Sequence, residues 1–216
     1  MTTGDWVAVM PVKRLGAAKS RLRGAVPAPR HGELALAMVR DTVAAVLAAP
    51  AVAELLVVTD DPVAAAAVSA LGARVVPDRP AAGLNEAMRY GADEVAGLGR
   101  HRAVLAGDLP ALRPEQLDAA LKDARPGRAF VADAAGSGTV LLAAGPGEPL
   151  DPRFGLGSAA AHAASGARAL EGDWPGLRQD VDTPADLHTV LGLGAGIHTC
   201  ALLRDAGLKV ACVSAA

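Results

Sequence analysis

Short apolar runs that alternate with helical segments constrain the fold of this chain more than any other feature of its sequence. Each run is continuous, rich in small aliphatic residues and too short for a helix, which is typical of a buried strand. Between the first two runs, Glu33–Leu47 places apolar residues at helical spacing. Such alternation predicts a mainly parallel sheet that binds ligands at the carboxyl ends of its strands. The predicted strands are Trp6–Val12, Glu54–Thr59, Arg74–Val76 and Ala103–Ala106.

The regular alternation ends after Arg128, where we expect a substrate pocket to be added to the sheet. Two apolar runs, Ala129–Ala132 and Thr139–Ala144, are separated only by DAAGSG, which predicts two strands joined by a tight glycine loop. A chain of 216 residues with 51% hydrophobic residues suits one α/β domain with a full-sized core. We assign residues 1–196 to this domain and leave 197–216 as an unassigned C-terminal tail.

Charge and cysteine usage restrict the partners and the compartment. A formal net charge of -2 provides no global positive field to collect nucleic acid, so any anion site must be local. The N-terminus lacks the pattern of a signal peptide, and no apolar run is long enough to span a bilayer. Cys200 and Cys212 lack CxxC spacing, which argues against structural zinc or a disulfide scaffold. We expect a cytoplasmic protein that contacts neither nucleic acid nor membrane.

The loop after the first strand concentrates positive charge in an otherwise slightly acidic chain. Lysines and arginines there can neutralise charge on a transferred phosphoryl group and on a pyrophosphate leaving group. The loop is therefore a candidate triphosphate cradle, and the alternative is a solvated basic loop. Its five cations are Lys13, Arg14, Lys19, Arg21 and Arg23.

Two groups of aspartates are candidate ligands for a hard cation. Asp108 directly follows the predicted strand that ends in AVLAG, and its alternative role is a turn cap before Pro110. Asp180 and Asp182 would lie on the same side of a short strand. Two carboxylates together with phosphate oxygens suit Mg²⁺, which keeps waters and seldom needs an all-protein cage. Asp182 also precedes a well-formed helix start at Thr183.

A glycine-containing segment forms the third candidate site. Pro152–Ser158 is followed by an alanine-rich helix that carries His162. Glycines permit close backbone approach and amides at a helix start bind anions, so with Thr139 this segment could seat a small phosphorylated acid. The alternative is a plain loop with Ser158 as an N-cap. P-loop and nucleophile-elbow motifs are missing, and the GLGAG at Gly192 follows a helix rather than a strand, which excludes those common classes.

Taken together and in order, the motifs resemble a known family, the phospholactate or phosphoenolpyruvate guanylyltransferases of coenzyme F-420 biosynthesis. The resemblance runs from about Val7 to Leu191. It implies a single-domain, Rossmann-like nucleotidyltransferase fold with a mainly parallel mixed sheet, and an enzyme that uses GTP and Mg²⁺. The motifs are PVKRLGAAKSRL, LN, AGDLPAL, GSGT, RFGLGSAAAH and DVDTPADL.

The same resemblance implies roles for individual residues. Mg²⁺ would be held by Asp108 and Asp180, and the acid by Thr139, Gly155 and Ser158. The triphosphate side would consist of Lys13, Lys19 and Arg21, with Asn85 as a base or ribose contact. Lys19, Arg21 and Asp108 would be the catalytic residues.

The acceptor is not determined by the motifs alone. Composition typical of a high-GC bacterial genome favours phosphoenolpyruvate, because bacterial family members are associated with that acid and archaeal ones with 2-phospho-L-lactate. Two further functions stay open. One is a sugar-phosphate or molybdopterin nucleotidyltransferase, whose usual glycine-rich first loop is replaced in this chain, and the second is a non-catalytic phospho-acid sensor. The next enzyme of the coenzyme pathway is the expected recipient of the unstable product.

Overall fold

A seven-stranded mixed sheet runs through the computed structural model, which describes residues 4–17, 22, 26–79, 81–95, 99–125, 127–208 and 210. The strand order is β3-β2-β1-β4-β6-β5-β7. Among the described strands, β6 alone runs antiparallel to its neighbours, β4 and β5, and the other paired strands are parallel. The strands are β1 (Trp6–Pro11), β2 (Val52–Val58), β3 (Arg74–Val76), β4 (His101–Leu105), β5 (Ala129–Ala132), β6 (Thr139–Ala144) and β7 (Arg168–Ala169).

Helices cover both faces of this sheet, as the alternation predicts. Pro114 begins α4 at its first position, and Gly72 follows α2 with a φ of 104°, both as expected from helix start and stop signals. The helices are α1 (His31–Ala48), α2 (Pro62–Ala70), α3 (Leu84–Asp93), α4 (Pro114–Asp123), α5 (Ser158–Ala164), α6 (Pro175–Arg178), α7 (Pro184–Leu193) and α8 (Ile197–Asp205). None of the described helices is long and apolar enough to cross a membrane.

The described residues form a core of three parts. One face of the sheet packs against α1, α2, α4 and α6, and the other packs against α3 and α5. Helix α3 lies unusually close to the sheet, because a Cβ at Gly91 would come within 2.6 Å of Val9 and 2.8 Å of Val58. The third part, here called the lateral core, joins α1, α7 and α8. Its members include Leu22, Leu34, Met38, Val181, Leu187, Val190 and Leu203.

Residues 197–205, for which sequence reasoning gives no assignment, form α8 and pack on α1. The buried carboxylate of Asp41 in α1 accepts hydrogen bonds from the backbone amides of His198 (2.9 Å) and Thr199 (2.8 Å) at the start of α8. The prediction from cysteine spacing is wrong on one point, because Cys200 of α8 is disulfide-bonded. Spacing in the sequence does not reveal such a bond, since it depends on the separation of two Cα atoms in the fold.

A second prediction is also wrong: Asp180–Asp182 is not a strand but a loop before α7. The backbone there is held by the helix start instead. Thr183 is the N-cap of α7 and forms a capping box with Asp186, whose carboxylate also accepts a hydrogen bond from the backbone amide of Asp182 at 3.0 Å. The predicted helix start at Thr183 is thereby confirmed.

Candidate active site

The described candidate residues come from segments that meet at one edge of the sheet, here called the carboxyl edge, where β1 to β5 end. Lys13 and Asp108 follow β1 and β4, which are parallel and paired. Thr139 begins β6, which runs antiparallel to β4, so its first residue lies at the edge where β4 ends. The topology therefore places these candidate residues at the strand ends, and their role in ligand binding stays a prediction.

The two predicted metal-binding segments are joined directly. The backbone amide of Val181 donates to the carbonyl oxygen of Asp108 at 3.2 Å. Val181 is fully buried in the lateral core, so it fixes the segment that carries Asp180. On the other side, the amide of Leu109 donates to the Thr42 hydroxyl at 3.0 Å, which ties the Asp108 loop to α1.

These bonds bring two half-buried aspartates onto neighbouring backbone segments. Within the described residues, no group of three or more His, Cys, Asp or Glu side chains could hold a metal ion on its own. Mg²⁺ does not require such a group, since it is usually bound by one or two carboxylates plus substrate phosphates and water. The carboxylates of Asp108 and Asp180 fit that donor set.

A cavity of about 560 Å³ opens at the ends of β1 and β2. Its lining includes Arg14, which is exposed, together with Asp60 and Asp61 from the loop after β2. Asp61 caps α2 through the amides of Val63 and Ala64 and accepts a third bond from the Leu15 amide at 2.9 Å. These backbone donors, Ala64 foremost and then Leu15, lower the pKa of Asp61.

Sequence reasoning missed this aspartate pair, although a signal was present. Asp60 and Asp61 directly follow a buried strand, which is the same position that singles out Asp108. Asp61 connects the basic loop to α2 and so helps to shape the cavity. Its role is structural in the bonds that the structure shows.

Most of the basic loop lies outside the described residues. This applies to Lys19, Arg21 and Arg23, while Lys13 and Arg14 are described and exposed. Leu22 is also described and is fully buried in the lateral core, the same cluster that holds Val181.

The third candidate site is built around a buried histidine. His162 Nδ1 lies 2.9 Å from the Thr139 hydroxyl, and the amide of Arg153 donates to His162 Nε2 at 2.9 Å. The imidazole also contacts the rings of Phe130 and Phe154, with centroid distances of 5.8 and 5.2 Å. The pKa of His162 is lowered to about 4, mainly by burial and then by the positive charge of Arg128.

Hydrogen bonds from Asn85 hold the glycine-containing segment at Phe154. The Asn85 side chain forms two hydrogen bonds with the backbone of Phe154, accepting from its amide at 2.7 Å and donating to its carbonyl oxygen at 3.0 Å. Asn85 thus holds the segment against α3. The remaining N–H and lone pair of its amide are not used by these two bonds, so the base or ribose contact stays a prediction.

Backbone conformation places Ser158 inside the helix rather than at its cap. Gly155 and Gly157 have φ values of 133° and 71°, which strongly favour glycine, and Leu156 between them is fully exposed. Gly157 is the N-cap of α5, which excludes the alternative of Ser158 as an N-cap. The Ala159 amide donates to the carbonyl oxygen of Ser137 at 3.1 Å, which joins the segment to the loop before Thr139.

Comparison with known families decides the affiliation of the chain. Residues 6–216 match the family described as guanylyl transferase, CofC like. The chain belongs to this family. The match confirms the resemblance seen in the motifs and extends it beyond Leu191, through α8.

Two relatives agree with this affiliation, and one solved structure shares the fold. A phosphoenolpyruvate guanylyltransferase of Salinispora arenicola is 62% identical over 207 residues, covering 94% of this chain and 96% of the relative. One of Geodermatophilus obscurus is 56% identical over 207 residues, covering 93% and 95%. A nucleotidyl transferase structure from Methanothermobacter thermautotrophicus has a TM-score of 0.66 at 23% identity, covering 86% and 95%, and shows the shared fold.

Proposed function

We propose that this protein is a phosphoenolpyruvate guanylyltransferase. It transfers GMP from GTP to the phosphate of phosphoenolpyruvate and releases pyrophosphate. The observation that carries the proposal is the bond between the Val181 amide and the Asp108 carbonyl oxygen. It brings two carboxylates to the edge of the sheet that also holds a seat for a small acid, in a chain 62% identical to a relative named for this activity.

The nucleotide would occupy the β1–β2 side of the carboxyl edge. The cavity of about 560 Å³ lined by Arg14, Asp60 and Asp61 lies there and is large enough for a nucleoside. Lys13, Lys19 and Arg21 of the basic loop would bind the triphosphate. Asn85, at the start of the helix that follows β3, would contact the base or ribose with the groups that its Phe154 bonds leave over.

Asp108 and Asp180 would hold Mg²⁺. When bound, Mg²⁺ supplies neutralisation of phosphate charge and a template that orients the reacting groups. The chain's own contribution is to hold both carboxylates in place, through Val181 in the lateral core and the bond of Leu109 to Thr42.

The acid would lie against Thr139, Gly155 and Ser158. Thr139 and Ser158 offer hydroxyl groups, and both residues are almost entirely buried. The exposed Gly155 permits a ligand to approach the backbone closely. Because these groups are fixed by β6, α5 and the bonds of Asn85, the acid would meet a pre-organised seat.

The transfer needs no protein general base. The second pKa of a phosphate monoester is near ~6, so the attacking oxygen is already anionic at neutral pH. This oxygen forms a bond to the α-phosphorus while the bond from that phosphorus to the pyrophosphate oxygen breaks in line. Lys19 and Arg21 would stabilise the charge on the departing pyrophosphate. His162 takes no part as an acid or base, because both of its nitrogens are engaged with Thr139 and Arg153.

We place the reaction in coenzyme F-420 biosynthesis on the strength of the sequence motifs. The product joins an enol ester to a nucleotide through a diphosphate, and we expect it to pass to the next enzyme of that pathway. This assignment depends on the acceptor and not on the fold.

Pyrophosphate release tests the proposed function. Purified protein with Mg²⁺ and phosphoenolpyruvate is assayed with ATP, CTP, GTP and UTP in turn. We expect pyrophosphate only when acid and GTP are both present. Release with another triphosphate would change the nucleotide assignment, and release with none would identify a phospho-acid sensor rather than an enzyme.

A further inference from the structure

His162 joins two segments that sequence reasoning treats as separate parts of the acid site. His162 belongs to α5 and is 0% exposed. Its ring connects Thr139 at the start of β6 with Arg153 in the glycine-containing segment. Both bonds are 2.9 Å long. None of the substrate-binding residues assigned above explains why a polar ring should be buried at this point.

The direction of one bond determines the other. A backbone amide can only donate, so the Arg153 amide requires His162 Nε2 to be an acceptor without a proton. In a neutral imidazole the proton must then be on Nδ1, which donates to the Thr139 oxygen. The hydrogen of the Thr139 hydroxyl therefore cannot point towards His162.

We infer that His162 is a positioning residue that fixes the Thr139 hydroxyl as a hydrogen-bond donor towards the phosphate or carboxylate of the acid. This inference rests on the proposed function, because it takes Thr139 as an acid-binding residue. An anion accepts hydrogen bonds and cannot donate them, so a hydroxyl held in the donating orientation recognises it without reorganisation.

The surroundings keep His162 in the required neutral form. Burial is the main cause that lowers its pKa to about 4, and the charges of Arg128 and Arg153 act in the same direction. Asp151 raises the pKa but does not outweigh them, and the carbonyl oxygen of Ser158 also raises it. Protonation at neutral pH would place a proton on Nε2, opposite the Arg153 amide, and would break the arrangement.

A double-mutant cycle tests whether His162 acts through Thr139. Thr139→Val removes the hydroxyl at nearly constant volume, and Thr139→Ser retains it. His162→Gln places an amide near the position of Nε2, so it can still accept from Arg153 but loses the donor to Thr139. Steady-state rates of pyrophosphate release give KM for the acid, KM for GTP and kcat, and thermal unfolding checks that each variant is folded.

We expect Thr139→Val and His162→Gln each to raise KM for the acid about tenfold, the size of one hydrogen bond to a charged group. KM for GTP and kcat should stay near the wild-type values, and Thr139→Ser should restore the acid KM. The double variant should be no worse than Thr139→Val alone, because the two changes remove the same interaction. In the wild type, the ¹⁵N NMR shifts of His162 should show the Nδ1–H tautomer.

Three outcomes would overturn the inference while the proposed function survives. These are additive losses in the cycle, a loss confined to kcat, and an Nε2–H tautomer in an active wild-type enzyme. Wild-type protein that releases no pyrophosphate with any acid would instead overturn the proposed function. Variants that fail to fold would leave the decision to the tautomer measurement, which needs only the wild type.

Discussion

The two halves of the candidate active site are built in opposite ways. The acid half is buried: Thr139, Ser158 and His162 are almost fully covered, and side-chain hydrogen bonds from Asn85 and His162 hold the glycine-containing segment. The nucleotide half is open: Lys13 and Arg14 are exposed beside a cavity of about 560 Å³. The acid half would recognise its substrate by fixed geometry, and the nucleotide half would bind the triphosphate mainly by charge.

This difference predicts how each half responds to change. Substitutions in the acid half should raise KM for the acid and leave the nucleotide steps alone, because they disturb one pre-organised seat. Substitutions in the charged half should lower kcat, because charge on the leaving group develops in the transition state. Added salt should weaken GTP binding in the exposed half more than acid binding in the buried half.

The largest effect should come from the two candidate metal ligands, Asp108 and Asp180. Asp108→Asn and Asp180→Asn should each lower kcat/KM by roughly 10³-fold, since a bound metal is worth several kcal/mol of charge stabilisation and an amide is a poor ligand for a hard cation. The assay is pyrophosphate release at saturating Mg²⁺. Asp123→Asn, an exposed site at the end of α4, is the matched control and should be silent. Turnover near the wild-type rate in either variant would remove that residue from the metal site.

Lys19→Ala should follow, with a loss of roughly 10²-fold in kcat, by analogy with removal of one pre-organised transition-state donor. Lys122→Ala removes an exposed lysine of α4 that pairs with Asp118, far along the chain from the basic loop, and serves as the control. A change confined to the acid KM would assign Lys19 to the acid half and contradict the division proposed here.

The buried histidine gives the acid half a pH-dependent stability. Its pKa is about 4 when folded against an ordinary value of 6.5, so the unfolded chain binds a proton between these values and the folded protein does not. Above pH 6.5 the contribution of His162 to the free energy of unfolding should be constant. As the pH drops from 6.5 to 4, the free energy of unfolding should fall by up to about 3 kcal/mol, and below pH 4 this group should cause no further loss. Urea unfolding at several pH values measures this, and His162→Gln should show a smaller decrease. Equal pH dependence in both proteins would contradict the buried, neutral state of His162.

The smallest effect should come from Asn85, which holds the acid segment and is also the predicted base or ribose contact. Asn85→Ala removes two bonds to Phe154 and should raise the acid KM roughly 30-fold, at about 1 kcal/mol for each bond. KM for GTP separates the two roles considered for Asn85. An unchanged value would make it a support of the acid segment alone, and a raised value would support the base or ribose contact predicted from the sequence.

Local rules were sufficient for most of the framework. Apolar runs and capping patterns predict strands β1 to β6 and the helix starts at Pro114 and Thr183, because these features depend on neighbouring residues. They do not predict β7, whose two residues are exposed. The strand predicted at Asp180–Asp182 is wrong: alternation of side chains was visible, but the capping box and the burial of Val181 decide the conformation.

The acid half was beyond sequence reasoning in its details. His162 is 23 residues from Thr139 and nine from Arg153, and no local pattern distinguishes it from any histidine on an alanine-rich helix. The attachment of α8 through Asp41 spans 157 residues and is equally invisible in a local window. Such bonds depend on tertiary neighbours, while the motifs identify only the segments that carry them.

Product analysis with competing acids tests the central claim most directly. The protein is incubated with GTP, Mg²⁺ and equal concentrations of phosphoenolpyruvate and 2-phospho-L-lactate, and the guanylylated products are quantified by mass spectrometry. The acids share phosphate and carboxylate and differ in shape at one carbon, a difference worth about 1–3 kcal/mol, or roughly 10–200-fold. The account predicts both adducts, with that of phosphoenolpyruvate in excess by a factor in this range. A dominant phospholactate adduct would contradict the proposed acceptor, and the absence of any adduct would contradict the guanylyltransferase itself.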